Sequence, residues 1–220
     1  MSAVFPLSLR VAERRCVIVG GGAIAAQKAA SLVVCVAQVT VISPTLHRDF
    51  APLRVEHLAR AYEIGDLAEA LLVVAATDDE ATNRAVFAEA RARGVLCNVV
   101  DVPELCDFFY PAVVRRGDLT LTVSTNGIAP ALAKALREQL QSDFDEGWSA
   151  LLQLLAEVRD EIKAGHSTLA ERQQAWDRIV NQRDSLRALL GDGRRDEARA
   201  RVRNLAFFGP PRKPLEHPNS

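Results

Sequence analysis

The sequence predicts an α/β protein in which a doubly wound parallel sheet is followed by a small helical domain. Short runs rich in Val and Ile alternate with helical stretches over the first two thirds of the chain, which is typical of a parallel sheet covered by helices on both faces. Three consecutive glycines, Gly20 to Gly22, directly follow the first of these runs. Beyond about Leu140 no strand-like run occurs, and apolar residues recur at helical spacing. Short connections and right-handed crossovers between the strands then give the doubly wound arrangement.

Hydrophobic patterning predicts each element in turn. The predicted strands are Arg15–Val19, Gln38–Ile42, Val55–Ala59, Leu71–Ala76, Leu96–Val100 and Leu119–Ser124. The predicted helices are Ala23–Val34, Glu80–Arg93, Ala129–Gln141, Trp148–Lys163, Ala175–Leu190 and Glu197–Phe208. Thr168 and Glu171 have the spacing of a capping box, which predicts that a helix begins there.

Composition limits the classes of function. Of the 220 residues, 49% are hydrophobic and 25% are charged, which is the balance of a globular rather than a disordered protein. Lys and Arg total 27 against 28 Asp and Glu, so the basic surplus typical of nucleic-acid binding is missing. Because no apolar run of about 18 residues occurs, and the start lacks the regions of a signal peptide, we expect no membrane association. The four cysteines form no C-x-x-C pair and are expected to be free thiols in a reducing cytoplasm.

The glycine turn has the pattern of a dinucleotide-binding loop. It reads Gly20-Gly21-Gly22-Ala23-Ile24-Ala25, which is G-x-G-x-x-A at a strand-to-helix turn. Gly20 permits the tight turn, Gly22 lets the backbone approach a pyrophosphate, and Ala25 allows close packing of helix and strand. The helix N-terminus offers free N–H groups to the phosphates. Because a predicted strand precedes the motif and a predicted helix follows it, we expect a Rossmann-like dinucleotide site.

The acidic residue that usually selects NAD is missing. An Asp or Glu at the end of the second strand normally binds the ribose 2′-hydroxyl, but that position falls at Ser43, in Ser43-Pro44-Thr45. The hydroxyl groups of Ser43 and Thr45 could bond a ribose more weakly, and Arg48 could attract a 2′-phosphate. The residue chemistry therefore leaves NAD and NADP open.

Five further segments follow one another in a specific order. They are Ala25-Ala26-Gln27-Lys28, Ala75-Ala76-Thr77-Asp78-Asp79-Glu80-Ala81-Thr82-Asn83, Cys97-Asn98-Val99-Val100-Asp101, Phe108-Phe109-Tyr110-Pro111-Ala112 and Ser124-Thr125-Asn126-Gly127-Ile128-Ala129-Pro130-Ala131-Leu132-Ala133. Together they resemble the precorrin-2 dehydrogenase and siroheme synthase N-terminal family. The resemblance runs from about Phe5 to Leu140 and is followed by a helical tail like that of the family.

The resemblance implies a function and an assembly. Members of this family use NAD to oxidise precorrin-2 to sirohydrochlorin, and some also insert ferrous iron to give siroheme; the sequence leaves this second activity open. The resemblance also implies a homodimer, intertwined through the segment after the Rossmann domain. The expected domains are an NAD-binding Rossmann domain at 1–112, a dimerisation segment at 113–145, a helical domain at 146–208 and a loose tail at 209–220. Since 220 residues leave no room for a methyltransferase portion, we expect precorrin-2 to come from a separate enzyme.

Two positions depart from the family pattern. Asn126 stands where the family often has glycine, and Asn tolerates left-handed backbone better than most residues, so we expect the turn to survive. The loop before the second strand usually carries a glycine but here reads Cys35-Val36-Ala37. A non-glycine residue is expected to strain that helix end.

The resemblance implies that Asp101 takes part in the chemistry. Oxidation of a tetrapyrrole needs a hydride acceptor, which is the nicotinamide, and a proton acceptor. Asp101 follows the strand Leu96–Val100 at its carboxyl end, where ligands of open α/β sheets bind, and partial desolvation there would suit a general base. The alternative is that Asp101 only caps the turn before Pro103.

The remaining candidates surround the cofactor and the substrate. The residues expected at the cofactor are Gly20, Gly22, Ala23, Ile24, Ser43, Pro44, Thr45, Thr77, Asp78 and Asn98. Thr77 and Asp78 could also N-cap the next helix, and the Asn98 side chain could equally be bonded to the backbone. Precorrin-2 carries eight carboxylates, and the residues expected around it are Ser124, Thr125, Asn126, Arg115, Arg116 and Lys134. Each basic residue could equally belong to an ordinary solvated face.

The four histidines are scattered, with no pair at i and i+4, so no permanent metal site is expected. Iron inserted into the substrate would be bound by the pyrrole nitrogens of the substrate itself.

Two other classes of function compete with the dehydrogenase. A non-catalytic NAD sensor would need the glycine loop but not the Asn98–Asp101 and Ser124–Gly127 segments. A dehydrogenase for a small substrate would usually carry a larger substrate domain and a Lys, His or Tyr base. The segments present favour precorrin-2 dehydrogenase.

Overall fold

The described residues of the chain fold into two compact units, which divide between Tyr110 and Pro111. A computed structural model describes residues 4–209. Most of the tail predicted to be loose, residues 209–220, therefore lies outside the described residues. No described helix is both long and apolar enough to cross a membrane.

The first unit is the predicted doubly wound sheet. Its strands are β1 (Arg15–Val19), β2 (Gln38–Ile42), β3 (Glu56–Leu58), β4 (Leu72–Ala75) and β5 (Leu96–Val99), and its α-helices are α1 (Ala23–Val33) and α2 (Glu80–Arg93). The strands lie in the order β3-β2-β1-β4-β5 and all pair in parallel. This confirms the predicted α/β fold. Because β1 lies between β2 and β4, the strand order reverses beside the glycine turn, which is where ligands of such sheets bind.

Alternate residues of the central strand face the two helices. Cys16 and Ile18 pack with the Ala25, Ala26 and Ala29 face of α1, while the intervening residues of β1 pack with α2 on the other side of the sheet. The small alanines let α1 approach the sheet closely. The two helices thus bury both faces, as a strand of continuous apolar residues requires.

The second unit begins with a two-stranded hairpin. The prediction that Leu119–Ser124 forms a sixth strand of the parallel sheet is wrong. Instead β7 (Leu119–Val123) pairs antiparallel with β6 (Ala112–Arg116) in a separate two-stranded sheet. The two strands are joined by Gly117-Asp118, and Gly117 has a left-handed φ of 55°, as a tight hairpin turn requires.

Five helices complete the second unit. They are α3 (Pro130–Asp143), α4 (Gly147–Gly165), α5 (Leu169–Val180), α6 (Arg183–Gly191) and α7 (Arg195–Phe207). The single helix predicted at Ala175–Leu190 is wrong, because the chain turns at Asn181 and Gln182. This turn allows α5 to pack on α7 while α6 packs on α4. The capping box of Thr168 and Glu171 is confirmed, and the other predicted elements end within two residues of the observed bounds.

Candidate functional site

The three glycines of the turn have different surroundings. Gly20 has a φ of +123°, and a Cβ atom there would lie 2.2 Å from the carbonyl oxygen of Ala76. A Cβ on Gly21 would lie 1.9 Å from the carbonyl oxygen of Thr45. A Cβ on Gly22 would meet no atom of the described residues within 4 Å. The first two glycines are therefore required by the fold, whereas Gly22 leaves open space at the helix N-terminus.

A pocket of about 560 Å³ lies over this turn. No side chain caps the N-terminus of α1, so its first N–H groups are available to an anion. The pocket is lined by Val19, Gly20, Gly21, Gly22, Ala23, Ile24, Ile42, Ser43, Pro44, Ala61, Tyr62, Ala76, Thr77, Asp78, Asp79 and Thr82. Eight of the ten residues expected at the cofactor belong to this lining; Thr45 and Asn98 do not.

Ser43 is buried at the end of β2 with its hydroxyl group already bonded. Its Oγ donates to the carbonyl oxygen of Thr45 at 2.9 Å, and its own carbonyl oxygen lies 2.8 Å from Nε2 of His57. Among the described residues that line the pocket, none is Lys or Arg. Arg48 has a side chain that is 91% exposed, with its Nε 3.9 Å from Asp49.

Asp79, rather than Thr77 or Asp78, caps α2. Its carboxylate accepts from the N–H groups of Ala81 and Thr82, and hydrogen bonds from the hydroxyl and N–H of Thr82 hold the pKa of Asp79 below its usual value. The Thr77 hydroxyl donates to Oδ1 of Asn83 at 2.9 Å. The capping role suggested for Thr77 and Asp78 is therefore wrong, and Asp78 is exposed at the pocket.

Asn98 is buried in β5 and bonded to the protein itself. Its Nδ2 donates to the carbonyl oxygen of Phe108 at 2.8 Å and lies 3.4 Å from Sγ of Cys106. These bonds join β5 to the segment that follows it. Of the two roles open from the sequence, the contacts favour the backbone-bonded one.

Asp101 lies just beyond β5 in left-handed backbone, with a φ of 62°. The backbone of the residue before it is held in place, because the N–H of Val100 donates to the carbonyl oxygen of Ala75 at 2.9 Å. The side chain is exposed, so the desolvation expected at this carboxylate does not come from the folded chain. Strained backbone of this kind is often found at functional sites.

Lys28 of α1 brings a positive charge to this end of the sheet. Its ammonium group lies 4.2 Å from the centroid of the Tyr110 ring. Burial lowers the pKa of Lys28, and the negative charge of Asp101 partly offsets this shift.

The residues expected around the substrate belong to the second unit. Arg116 donates from Nε to the carbonyl oxygen of Phe144 at 2.7 Å and from Nη2 to that of Gln141 at 2.9 Å. It therefore closes the end of α3, a role that competes with substrate binding. Lys134 is largely exposed, with its Nζ 4.0 Å from Glu138. Arg115 is exposed at the end of the hairpin.

The turn before α3 adopts the expected backbone. Asn126 has a φ of 52°, followed by Gly127 at 77°, so the prediction that this turn survives the loss of a glycine is confirmed. The hydroxyl of Ser124 accepts from the N–H of Asn126, and that of Thr125 accepts from the N–H of Ala129. Both hydroxyl groups therefore stabilise the turn.

Sequence reasoning missed part of the pocket. Ala61 and Tyr62 belong to the loop between β3 and β4, and Asp79 and Thr82 to the start of α2. Ala61 and Tyr62 carry no motif, because they reach the pocket through tertiary packing. Asp79 and Thr82 lie in the quoted segment Ala75–Asn83 but were not among the residues expected at the cofactor. Within residues 4–209, no three His, Cys, Asp or Glu side chains form a group that could hold a metal ion.

Comparisons with known proteins connect this site to tetrapyrrole chemistry. A family described as putative NAD(P)-binding matches residues 7–112, and one described as the central region of sirohaem biosynthesis proteins matches residues 116–142. The siroheme synthase of Methylobacillus flagellatus is 41% identical over 178 residues, which are 79% of this chain and 38% of that protein. That of Thioalkalivibrio sulfidiphilus is 37% identical over 199 residues, 89% of this chain and 40% of that protein. The chain thus spans about two fifths of the length of these curated relatives.

One solved structure matches this chain over the whole length of that structure. SirC, described as precorrin-2 dehydrogenase, superimposes with a TM-score of 0.75 and 25% sequence identity. The match covers 91% of this chain and 100% of that one.

Proposed function

Since the chain belongs to the precorrin-2 dehydrogenase and siroheme synthase N-terminal family, we propose that it catalyses the NAD-dependent oxidation of precorrin-2 to sirohydrochlorin. One observation carries this proposal: the open space at Gly22 and the carboxylate of Asp101 lie at the carboxyl edge of the same sheet. The glycine loop is at β1 and Asp101 is at β5, with β4 between them. The site-forming residues therefore flank the place where a nicotinamide cofactor meets its substrate.

The reaction removes two electrons and two protons from precorrin-2. NAD held at the glycine turn would accept one hydride ion and so become NADH, and the second hydrogen would be lost as a proton. Asp101 accepts that proton at its carboxylate and releases it to water, with which it is in contact. Electrons and atoms balance with precorrin-2 and NAD as the reactants.

We propose NAD rather than NADP as the cofactor. A 2′-phosphate needs a cationic partner, and the described lining of the pocket has no Lys or Arg. Arg48 is turned to solvent beside Asp49. Titration with both dinucleotides tests this choice: NAD is expected to bind more tightly, and equal affinity for NADP would contradict it.

We also propose that the protein is a homodimer through α3 and the turn before it. Ile128, Leu132 and Leu136 are 71%, 52% and 38% exposed. Leu132 and Leu136, four residues apart, lie on one face of α3, and Ile128 lies in the turn just before that helix. Within α3, all of which the structure describes, no residue is buried. A second copy of the chain would cover this apolar face.

We propose the cytoplasm as the location of the protein. The four cysteines, all within the described residues, form no disulfide with one another, which fits a reducing compartment.

The activity is tested by anaerobic incubation with precorrin-2 and NAD, followed by absorbance. Formation of sirohydrochlorin together with NADH is expected, and the absence of both would contradict the proposal. If NAD binds but no precorrin-2 is consumed, the chain acts instead as an NAD-sensing module. A parallel sample with ferrous iron decides whether siroheme is also formed; accumulation of sirohydrochlorin in that sample limits the activity to dehydrogenation.

A further inference from the structure

The loop between β3 and β4 is fixed on both sides of Tyr62. Before Tyr62, the guanidinium group of Arg60 bonds both carboxylate oxygens of Asp66, at 2.8 and 2.6 Å, which holds the pKa of Asp66 below its usual value. After Tyr62, the N–H of Glu63 donates to the same carboxylate at 2.9 Å. A loop of this kind is normally mobile, but here the bidentate salt bridge between Arg60 and Asp66 holds it together.

Glu89 of α2 accepts hydrogen bonds from the same loop. Its carboxylate is buried and accepts from the hydroxyl of Tyr62, from the N–H of Gly65 at 2.9 Å and from the N–H of Leu67 at 3.4 Å. Arg93, one turn further along α2, donates to it at 2.5 Å. Burial alone would raise the pKa of Glu89, but these hydrogen bonds outweigh it and lower the pKa. Glu89 therefore stays ionised and keeps the Tyr62 hydroxyl in place.

This anchoring fixes where the Tyr62 ring lies. The hydroxyl end is bonded to Glu89, while Tyr62 itself lines the pocket beside Ala61. The same pocket is also lined by Ser43 and Pro44 at the end of β2. The end of β2 is where such sheets bind the adenosine ribose, so the flat group that follows that ribose is the adenine base.

We propose that Tyr62, positioned by Glu89, forms the aromatic wall of the subsite for the adenine base of the dinucleotide. This inference rests on the dinucleotide site proposed above and adds the residue that recognises the base. The contact is between an aromatic ring and a purine ring, whose stacking is independent of charge. It supplies affinity at a position where the usual ribose-binding carboxylate is missing.

The test compares ligands that contain or lack the base. ADP-ribose contains the adenine half of the cofactor, and nicotinamide mononucleotide contains the other half. Replacing Tyr62 by Ala is expected to weaken ADP-ribose and NAD by the same factor, about ten- to hundredfold, while nicotinamide mononucleotide is unaffected. Tyr62→Phe keeps the ring and loses only its anchor, so a loss of about two- to fivefold is expected. Calorimetry measures the first two ligands and NMR titration the mononucleotide.

A matched control separates the contact from general loosening. Phe87 packs in the same apolar cluster as Tyr62 but does not line the pocket, so Phe87→Ala should leave ADP-ribose affinity unchanged. If Tyr62→Ala does not fold, Tyr62→Leu keeps the apolar bulk and carries the same expectation. Unchanged ADP-ribose affinity in these variants, or an equal loss for the mononucleotide, overturns the inference. Failure of the wild type to bind either NAD or ADP-ribose would instead overturn the dinucleotide site.

Discussion

The carboxyl edge of the five-stranded sheet and residues 112–143 differ in how far the folded chain completes them. At the sheet edge, β1 and β4 end in buried residues, and the glycine turn closes against the carbonyl oxygens of Ala76 and Thr45. In residues 112–143, all of which the structure describes, Val114 is the only buried residue. Both regions carry family motifs, but only the first is packed to the density of a protein interior.

The two regions therefore expose two different kinds of surface, a pocket and an apolar face. At the sheet edge, the pocket, the helix N-terminus and Asp101 all belong to one unit. The hairpin and α3 instead expose apolar side chains that no small polar ligand would cover. We therefore expect substitutions at the sheet edge to change binding and rate, and substitutions in α3 to change assembly.

The largest effect is expected at Asp101. Asn retains the left-handed backbone at φ 62° but cannot accept the proton, so Asp101→Asn should lower the rate of precorrin-2 oxidation about 10²–10⁴-fold. NAD affinity should change little, because the pyrophosphate contacts are at the glycine turn. Stopped-flow absorbance and calorimetry measure the two quantities. Oxidation at the wild-type rate in this variant would remove Asp101 from the mechanism.

The glycine turn offers a contrast between neighbouring positions. Gly22→Val places a branched side chain at the helix N-terminus, where its Cβ would meet no described atom within 4 Å, so the variant should fold while NAD affinity falls about a hundredfold. Gly21→Ala is the control: its Cβ would lie 1.9 Å from a backbone oxygen, and it should cost about 1–3 kcal/mol of stability. Calorimetry and thermal unfolding are the measurements. Wild-type NAD affinity in folded Gly22→Val would mean that the cofactor lies elsewhere.

Sequence reasoning found what local patterns encode and missed what tertiary packing decides. The strands and the glycine turn were predictable because Val- and Ile-rich runs and the G-x-G-x-x-A spacing are local. β6 was missed because Arg115 and Arg116 were interpreted by their charge, although Gly117-Asp118 between two apolar runs is a hairpin signal. The break at Asn181 carries no Gly or Pro and could not be predicted.

The candidate site shows the same limit. Eight of the ten residues expected at the cofactor line one pocket at the sheet edge, and all of these but Ser43 and Pro44 lie on a motif segment. Tyr62 follows a weak three-residue strand and reaches the pocket only because Glu89, 27 residues away, binds its hydroxyl. No pattern within the loop records that contact. Arg116 was misjudged for a related reason, since its bonds to the end of α3 depend on how the hairpin and helix pack.

Assembly should respond to a charge on the exposed face of α3. Leu132→Asp removes an apolar contact of about 1.5–3 kcal/mol from each copy and introduces a charge, so the dimer dissociation constant should rise about a hundredfold or more. Leu169→Asp alters a similarly exposed leucine on α5 and should leave the dimer intact. Sedimentation velocity measures both. A wild-type chain that sediments only as a 24.0 kDa species at micromolar concentration would contradict the proposed dimer.

The smallest expected effect comes from the ends of α1 and α2, which share one backbone motif. After α1, the N–H of Ala37 donates to the carbonyl oxygen of Leu32 and that of Val36 to Val33, the two bonds of a Schellman motif. After α2, Gly94 occupies the equivalent left-handed position, with a φ of 70°. α1 has Val36 there instead, at 59°, so the expected departure from the family pattern falls on the position that favours glycine.

Replacing Val36 by Gly should stabilise the first unit. A β-branched residue in left-handed backbone costs about 1–2 kcal/mol, whereas glycine there costs only its larger entropy in the unfolded chain, about 0.5–1 kcal/mol. Val36 is 67% exposed, so little buried area is lost, and the net gain should be about 0.5–1 kcal/mol, seen as a small rise in the unfolding temperature. In the reverse change, Gly94→Val, the added Cβ would meet no described atom within 4 Å, and stability should fall by a similar amount.

Val34→Gly is the control for the entropy of glycine alone. Val34 is as exposed as Val36 but has a helical φ of −59°, so this change should destabilise. If Val36→Gly destabilises as much as Val34→Gly does, the helix end is not strained, and the missing glycine is tolerated without cost.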